Sequence, residues 1–188
     1  MKKTVAALAI IFLSALSIWL LYEQKKESGK GKERPYVINS VMKIESGAFE
    51  NNGKIPEQYS CYGEARAIPL RLSGAPSEAK SLAIIVDDPD APGGNFNHWL
   101  IWNIDPKTSA LSTGNPPVGS TEGLSSLGKP GFVAPCPPAG IHHYNFKLYA
   151  LDTMLNLPDS TEKNNLERAM EGHILESAAL IGLYGRQA

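Results

Sequence analysis

From residue 41 onward the chain alternates between short β-type runs and loops rich in proline and glycine. The interior of residues 81–87 is apolar without alternation, which is typical of a strand that is buried on both faces. Residues 97–104 are rich in aromatic and β-branched side chains and predict a second central strand. The complete set of predicted strands comprises residues 43–49, 68–73, 81–87, 97–104 and 144–151.

The C-terminal region changes its period. Residues 159–162, which follow a proline, have the character of a helix-capping box. The apolar side chains that recur at helical spacing after it are Leu166, Met170, Ile174 and Ala178. Gly172 interrupts this series, so the pattern predicts two helices that cover the core. Strands first and helices last, without βαβ alternation, predict a mostly β domain: an antiparallel β-sandwich with C-terminal helices.

The first 22 residues have a different pattern. Lys2 and Lys3 precede an uncharged run over residues 4–22. This run would be roughly 28 Å long as a helix, close to the bilayer core of about 30 Å. The alternative is a cleavable signal peptide with a poor cleavage site at residues 15–17. The apolar run continues past that site and ends in aromatic residues, which favours an uncleaved membrane helix.

These boundaries predict three parts: a membrane anchor or signal peptide over residues 1–22, a polar linker over 23–40 and one domain over 41–188. Basic residues flank both ends of the apolar run, but its short lysine-containing start favours export. We therefore expect a single-pass membrane protein whose domain lies outside the cytoplasm. The alternative is a secreted or periplasmic protein after signal cleavage.

Charge limits the possible partners. The whole chain has a formal net charge of −1, and residues 35–188 alone have a net charge of −5. A nucleic-acid-binding domain needs a basic surface to neutralise phosphates. The sequence therefore predicts no nucleic-acid partner.

The chain contains two cysteines, Cys61 and Cys136, which can form only one intramolecular bond. In an oxidising compartment this bond would close a loop of about 75 residues and contribute about 4 kcal/mol in the chain-entropy account. In a reducing compartment they would be two small buried thiols. Both alternatives remain open at the level of sequence.

Polar side chains occur where the predicted central strands end or begin. Asp88 follows one strand and His98 begins the next, so antiparallel pairing would bring them to one edge of the sheet. His142 and Tyr144 are two residues apart and therefore share a face, whereas His143 points to the opposite face. An apolar cavity into which a few polar groups converge is typical of a small-ligand site.

A proline-rich segment, residues 135–140, would form another wall of this site. Proline lacks an N–H group, so the Cys136 amide is the one backbone donor within residues 135–138, and it could point at an oxygen anion. The sequence has no Gly-x-Ser-x-Gly motif and no Ser or Cys with a clear base partner. It predicts no catalytic residue, no metal site and no cofactor.

Three separated motifs occupy residues 88–92, 97–99 and 135–144. In this order they resemble the signature of the phosphatidylethanolamine-binding protein family, and most closely its bacterial Raf-kinase-inhibitor-like branch. The likeness extends over about residues 44–186. It implies a β-sandwich with a small pocket for phosphate-like groups. The family's usual His-Arg-Tyr is His142-His143-Tyr144 here, which removes a fixed positive charge.

Carried over by motif position, the candidate ligand-binding residues are Asp88, Pro89, Asp90, His98, Cys136, Pro137, Pro138, His142 and Tyr144. The resemblance implies non-enzymatic binding of a small anionic ligand, either a phosphate-like group or a lipid head group. One alternative is an inhibitor or regulator of a protein kinase or protease. Another is a hydrolase that uses Asp88 with His98 or His142.

Overall fold

The computed structural model describes residues 42–186. The predicted N-terminal membrane helix and the polar linker lie outside the described residues. Within residues 42–186, no helix is both long enough and apolar enough to cross a membrane.

The described chain contains nine strands, one α-helix and a short 3₁₀ helix at Glu57–Tyr59. In chain order they are β1 (Lys43–Ser46), β2 (Gly53–Lys54), β3 (Pro69–Ser73), β4 (Ser81–Asp88), β5 (Phe96–Ile104), β6 (Ala110–Ser112), β7 (Thr121–Glu122), β8 (Gly140–Leu151), α1 (Lys163–Met170) and β9 (Ile174–Arg186). The five predicted strands correspond to β1, β3, β4, β5 and β8. The prediction of a mostly β domain is therefore confirmed.

The strands form two sheets. The smaller has the order β1-β3-β6, and the larger has the order β2-β9-β8-β4-β5-β7. The described pairs are antiparallel except for β2 and β9, which run parallel. Strands β4, β5 and β8 are adjacent, so the three segments that carry the predicted site share one sheet.

Strand β4 is buried at all eight positions because both of its faces are covered. Leu82, Ile84 and Val86 belong to a core shared with residues of the smaller sheet. Ala83 and Ile85 point the other way and pack in a second core with the apolar side of α1. Full burial of each large aliphatic side chain contributes about 1.5–3 kcal/mol relative to exposure. This burial on two sides accounts for the continuous apolar run in the sequence.

The prediction of two C-terminal helices is wrong for the second of them. Helix α1 ends before Gly172, which has a φ of 78°, and the following segment forms β9. This strand pairs with β8 from Ile174 to Arg186, and its buried positions alternate at Leu180, Gly182 and Tyr184. Pairing with a distant strand outweighed the local helical spacing, since alanine and serine at the start of β9 allow either structure.

Candidate functional site

A cavity of about 430 Å³ opens at the edge of the larger sheet where β4 ends and β5 and β8 begin. We call it the edge cavity. Seven of the nine candidate residues line it: Asp88, His98, Cys136, Pro137, Pro138, His142 and Tyr144. Most of the remaining lining is apolar, so the cavity combines an apolar wall with a few polar groups, as small-ligand sites do.

Strand pairing explains why these side chains meet. Val86 is paired with Trp99, but Asp87 is paired with Asn97, so His98 is the extra residue of a β-bulge in β5. Bulges redirect a side chain and are frequent beside functional sites. His98 therefore owes its position partly to an irregularity that strand alternation alone does not predict.

The most buried polar contact of the cavity joins Asp88 to His142. The His142 Nδ1–H donates to the Asp88 Oδ2 over 2.7 Å, and the two residues are only 5% and 3% exposed. The backbone N–H of Asp90 donates to the other Asp88 oxygen over 2.9 Å. These bonds fix the carboxylate and leave the Nε2 of His142 as the ring nitrogen available to a ligand.

His98 is held from the other side of the cavity. Its Nδ1–H donates to the Val133 carbonyl over 2.7 Å, and the Val133 N–H donates to the His98 carbonyl over 2.9 Å. The ring contacts Phe96 and Tyr144, with ring centroids 4.7 Å and 5.1 Å away. Burial lowers the pKa of His98 below its ordinary value, and the Val133 carbonyl and Asp88 only partly oppose that shift. His98 is therefore biased toward the neutral form, whose Nε2 is an acceptor.

Tyr144 lines the cavity and carries a buried hydroxyl that is not satisfied. Its side chain is buried, and its hydroxyl has no hydrogen-bond partner among the described residues. Burial raises the pKa of Tyr144, the Asp88 charge adds to the rise, and the Cys136 amide opposes it. The phenol thus keeps its proton, and a buried O–H without a partner costs free energy that a ligand oxygen can recover.

A disulfide joins Cys61 to Cys136, with 5.3 Å between the two Cα atoms and a sequence separation of 75. It attaches the proline-rich wall to the loop that follows the 3₁₀ helix. Two hydrogen bonds accompany it: Cys61 N–H to the Pro135 carbonyl, 3.0 Å, and Tyr62 O–H to the Pro137 carbonyl, 2.9 Å. Both cysteines line the edge cavity, and both are exposed.

Two candidate residues do not line the edge cavity. Pro89 is absent from its wall, and Asp90 binds His143 instead. The Asp90 carboxylate accepts from the backbone N–H and from the ring Nδ1–H of His143, over 2.8 Å and 2.7 Å. Both side chains are largely exposed. The pair therefore holds the turn that follows Asp88, and it does so from outside the cavity.

Several lining residues were missed by sequence reasoning. Phe96 lies two residues before His98, and this spacing is the signal that could have placed both side chains on the same face of the strand. Leu127 and Val133 also line the cavity, but they come from a long segment without periodicity, so no pattern marked them. Among the described residues, no lysine or arginine lines the cavity, and Asp88 is the one acidic side chain that does.

Asp87, next to Asp88, points to the helix side of the sheet. Its carboxylate accepts from Lys147 over 2.7 Å and also from Lys163 of α1. Burial alone would raise the pKa of Asp87, but the two lysines outweigh burial and hold it below the ordinary value. Among the described residues, no group of three or more His, Cys, Asp or Glu side chains could hold a metal ion.

Comparisons with known proteins identify relatives for most of the chain. Residues 45–185 match the family model described as "Phosphatidylethanolamine-binding protein". A UPF0098 protein from Methanothermobacter thermautotrophicus is 47% identical over 150 residues, which cover 77% of this chain and 99% of that protein. A UPF0098 protein from Pyrococcus abyssi is 46% identical over 168 residues, covering 85% of this chain and 90% of that protein.

Solved structures agree with this match. A crystal structure of a phosphatidylethanolamine-binding protein homologue from Chlamydia trachomatis superposes with a TM-score of 0.75 at 39% identity. It covers 79% of this chain and 99% of that chain. YbcL of Escherichia coli, described as a new member of the mammalian phosphatidylethanolamine-binding protein family, has a TM-score of 0.70 at 27% identity. It covers 78% of this chain and 99% of that chain.

Proposed function

This chain belongs to the phosphatidylethanolamine-binding protein family, and from that premise we propose that its edge cavity binds small anionic groups without chemical turnover. The ligands in question are phosphate-like groups, either free or as the head group of a lipid. The observation that carries the proposal is the buried hydroxyl of Tyr144, a residue of the cavity wall, which has no hydrogen-bond partner among the described residues. A ligand oxygen would satisfy it.

The charges of the cavity determine which anions can enter. Asp88 is an acceptor when ionised and repels a second anion, and among the described residues no lysine or arginine lines the cavity. The ligand must therefore bring a proton or take one up in the site. A protonated His98 or His142 would supply one, or Asp88 would share the proton of a hydrogen phosphate in a short charge-assisted bond.

This requirement predicts a pH dependence. Burial lowers the pKa of His98, so this ring resists protonation. A bound anion favours the protonated ring and raises that pKa again, so binding and proton uptake are linked. Affinity should consequently increase as the pH falls from 8 toward 6.

Calorimetric titration of the full-length protein, in mild detergent, with phosphoethanolamine at pH 6 and pH 8 tests the proposal. We expect tighter binding at pH 6 and recovery of the phosphomonoester unchanged. His142→Ala and His98→Ala should each weaken binding about tenfold to a hundredfold, which corresponds to roughly 1.5–3 kcal/mol. His143→Ala is the matched control and should change little, because that ring binds Asp90 outside the cavity. Affinity that increases with pH, or a larger effect at His143, would contradict the proposal.

A further inference from the structure

The disulfide is part of the cavity wall. Cys61 and Cys136 both contribute to the lining of the edge cavity, and both are exposed. Exposed disulfides have higher reduction potentials than typical structural ones and include the labile and regulatory ones. The exposure of both cysteines leaves this bond open to a small dithiol reductant.

The wall segment is fixed at its two ends by different contacts. On one side, Val133 is held to His98 of β5 by two hydrogen bonds, one from the His98 ring to the Val133 carbonyl and one between the two backbones. On the other side, Gly140 begins β8 and is paired with β9. Between them, the contacts from Cys61 and Tyr62 attach the wall to the opposite loop.

Cys136 combines two roles at this position. Its sulfur forms the crosslink, and its amide is the one backbone donor within residues 135–138. Because Pro135 and Pro137 flank it, the neighbouring prolines offer no replacement donor if Cys136 moves. Any displacement of the crosslinked residue therefore changes the cavity's own hydrogen-bonding groups.

We propose that the redox state of Cys61–Cys136 controls the affinity of the edge cavity. This inference rests on the proposed function, since it assigns a regulation to the same site. In the disulfide form the wall is held closed against the 3₁₀ loop, and the Cys136 amide is in place for the ligand. In the dithiol form only the non-covalent contacts hold the wall, and the cavity is less well ordered for binding.

The chemical step is thiol–disulfide exchange with a dithiol reductant. One thiolate of the reductant attacks a sulfur of the disulfide and forms a mixed disulfide, releasing the other cysteine as a thiolate. The second thiol of the reductant then displaces the first cysteine. Two electrons and two protons pass to the protein, which gains two thiols, while the reductant becomes a disulfide.

The test compares inorganic phosphate binding by the full-length protein before and after reduction with dithiothreitol, at pH 6. Alkylation and mass measurement establish that two thiols have formed. We expect the affinity to fall about fivefold or more, the effect of losing about one hydrogen bond, and to return on reoxidation. A double variant, Cys61→Ser with Cys136→Ser, should bind as weakly as reduced protein with or without the reductant.

Each outcome separates the two proposals. If the oxidised protein does not bind phosphate, the proposed function fails. If the oxidised protein binds and the reduced, folded protein binds equally well, the redox inference fails alone. If binding is lost on reduction, circular dichroism shows whether the domain is still folded. Unfolding of the whole domain would mean that the disulfide only stabilises the fold, and this would also overturn the inference. Hydrogen exchange supplies a ligand-free readout: the amides of residues 133–140 should exchange faster in the reduced protein, while those of β4 should not.

Discussion

Asp87 and Asp88 are neighbours in β4, yet their carboxylates lie on opposite faces of the sheet. Asp88 accepts from His142 inside the edge cavity, and Asp87 accepts from lysines of β8 and α1. The same chemical group thus lines the edge cavity at one position and pairs with two lysines at the next. The two roles can be separated by substitution.

Asp87→Asn should lower the free energy of unfolding by about 1–3 kcal/mol, because the largely buried Lys163 ammonium then keeps only the more distant Glu167 as a charged partner. Urea unfolding monitored by tryptophan fluorescence measures this change. Asp159→Asn, a substitution of an exposed aspartate just before α1, is the control and should change stability little. Equal effects of the two substitutions would contradict the assigned role of Asp87.

The ion pairs of Asp87 also make the free energy of unfolding depend on pH. The lysines hold the pKa of Asp87 below its ordinary value of 3.8, so its contribution is fully present above that pH. It is lost as the pH falls through the lower pKa of the folded state. The stability difference between the wild type and Asp87→Asn should therefore be constant at higher pH and decrease in acid.

Tyr144→Phe should separate binding from stability. The Tyr144 hydroxyl has no partner among the described residues, so its removal breaks no described hydrogen bond, and the free energy of unfolding should change by less than about 1 kcal/mol. Phosphate affinity should fall about fivefold or more, measured by calorimetry. Tyr184→Phe is the matched control: its hydroxyl accepts from Ser60 over 2.7 Å, so stability should fall by about 1 kcal/mol. A Tyr144→Phe protein with normal affinity would show that the hydroxyl is not a ligand donor.

Among the elements, the central strands were predictable because their signal is local. Continuous apolar character identified β4, and alternation placed His142 and Tyr144 on one face. Three features depend on distant partners and had no local signal: the β-bulge at His98, the pairing of β9 with β8 and the bonds from Asp87 to the lysines. Sequence therefore located most of the site but missed the loop side chains that complete its wall.

The close packing of β9 on β8 allows a test of whether this segment is a strand, as the structure shows, and not the predicted second helix. A Cβ atom at Gly185 would lie 2.3 Å from the Gly140 carbonyl oxygen and 2.7 Å from the Ile141 Cα. Because both obstacles are backbone, Gly185→Ala should cost about 1–3 kcal/mol. Gly93→Ala has no atom within 4 Å of its Cβ and is the control. Thermal unfolding measures both, and an unchanged melting temperature for Gly185→Ala would contradict the described pairing.

For the whole molecule, the N-terminal prediction concerns where the domain acts. Residues 4–22 are long enough to span a bilayer as a helix, and the linker of residues 23–40 would tether the domain. We expect the full-length protein to resist alkaline extraction from membranes and its domain to be cleaved by protease added to spheroplasts. A chain without residues 1–22 is the control and should be extracted. A full-length protein that is released by alkali, or a domain protected from protease, would refute the anchor or its orientation.

The Cys61–Cys136 bond also divides the chain into a covalent ring and two branches. Residues 61–136 form the ring, which contains β3 to β7, whereas β8, α1 and β9 belong to the C-terminal branch. The exposed turn at residues 92–95 lies within the ring. A protease cut there would leave both pieces joined in one molecule, so the nicked protein would keep its apparent mass until a reductant separated the fragments. A cut in the exposed segment at residues 158–160, by contrast, would leave the C-terminal piece attached only by non-covalent contacts, the pairing of β9 with β8 and the packing of α1.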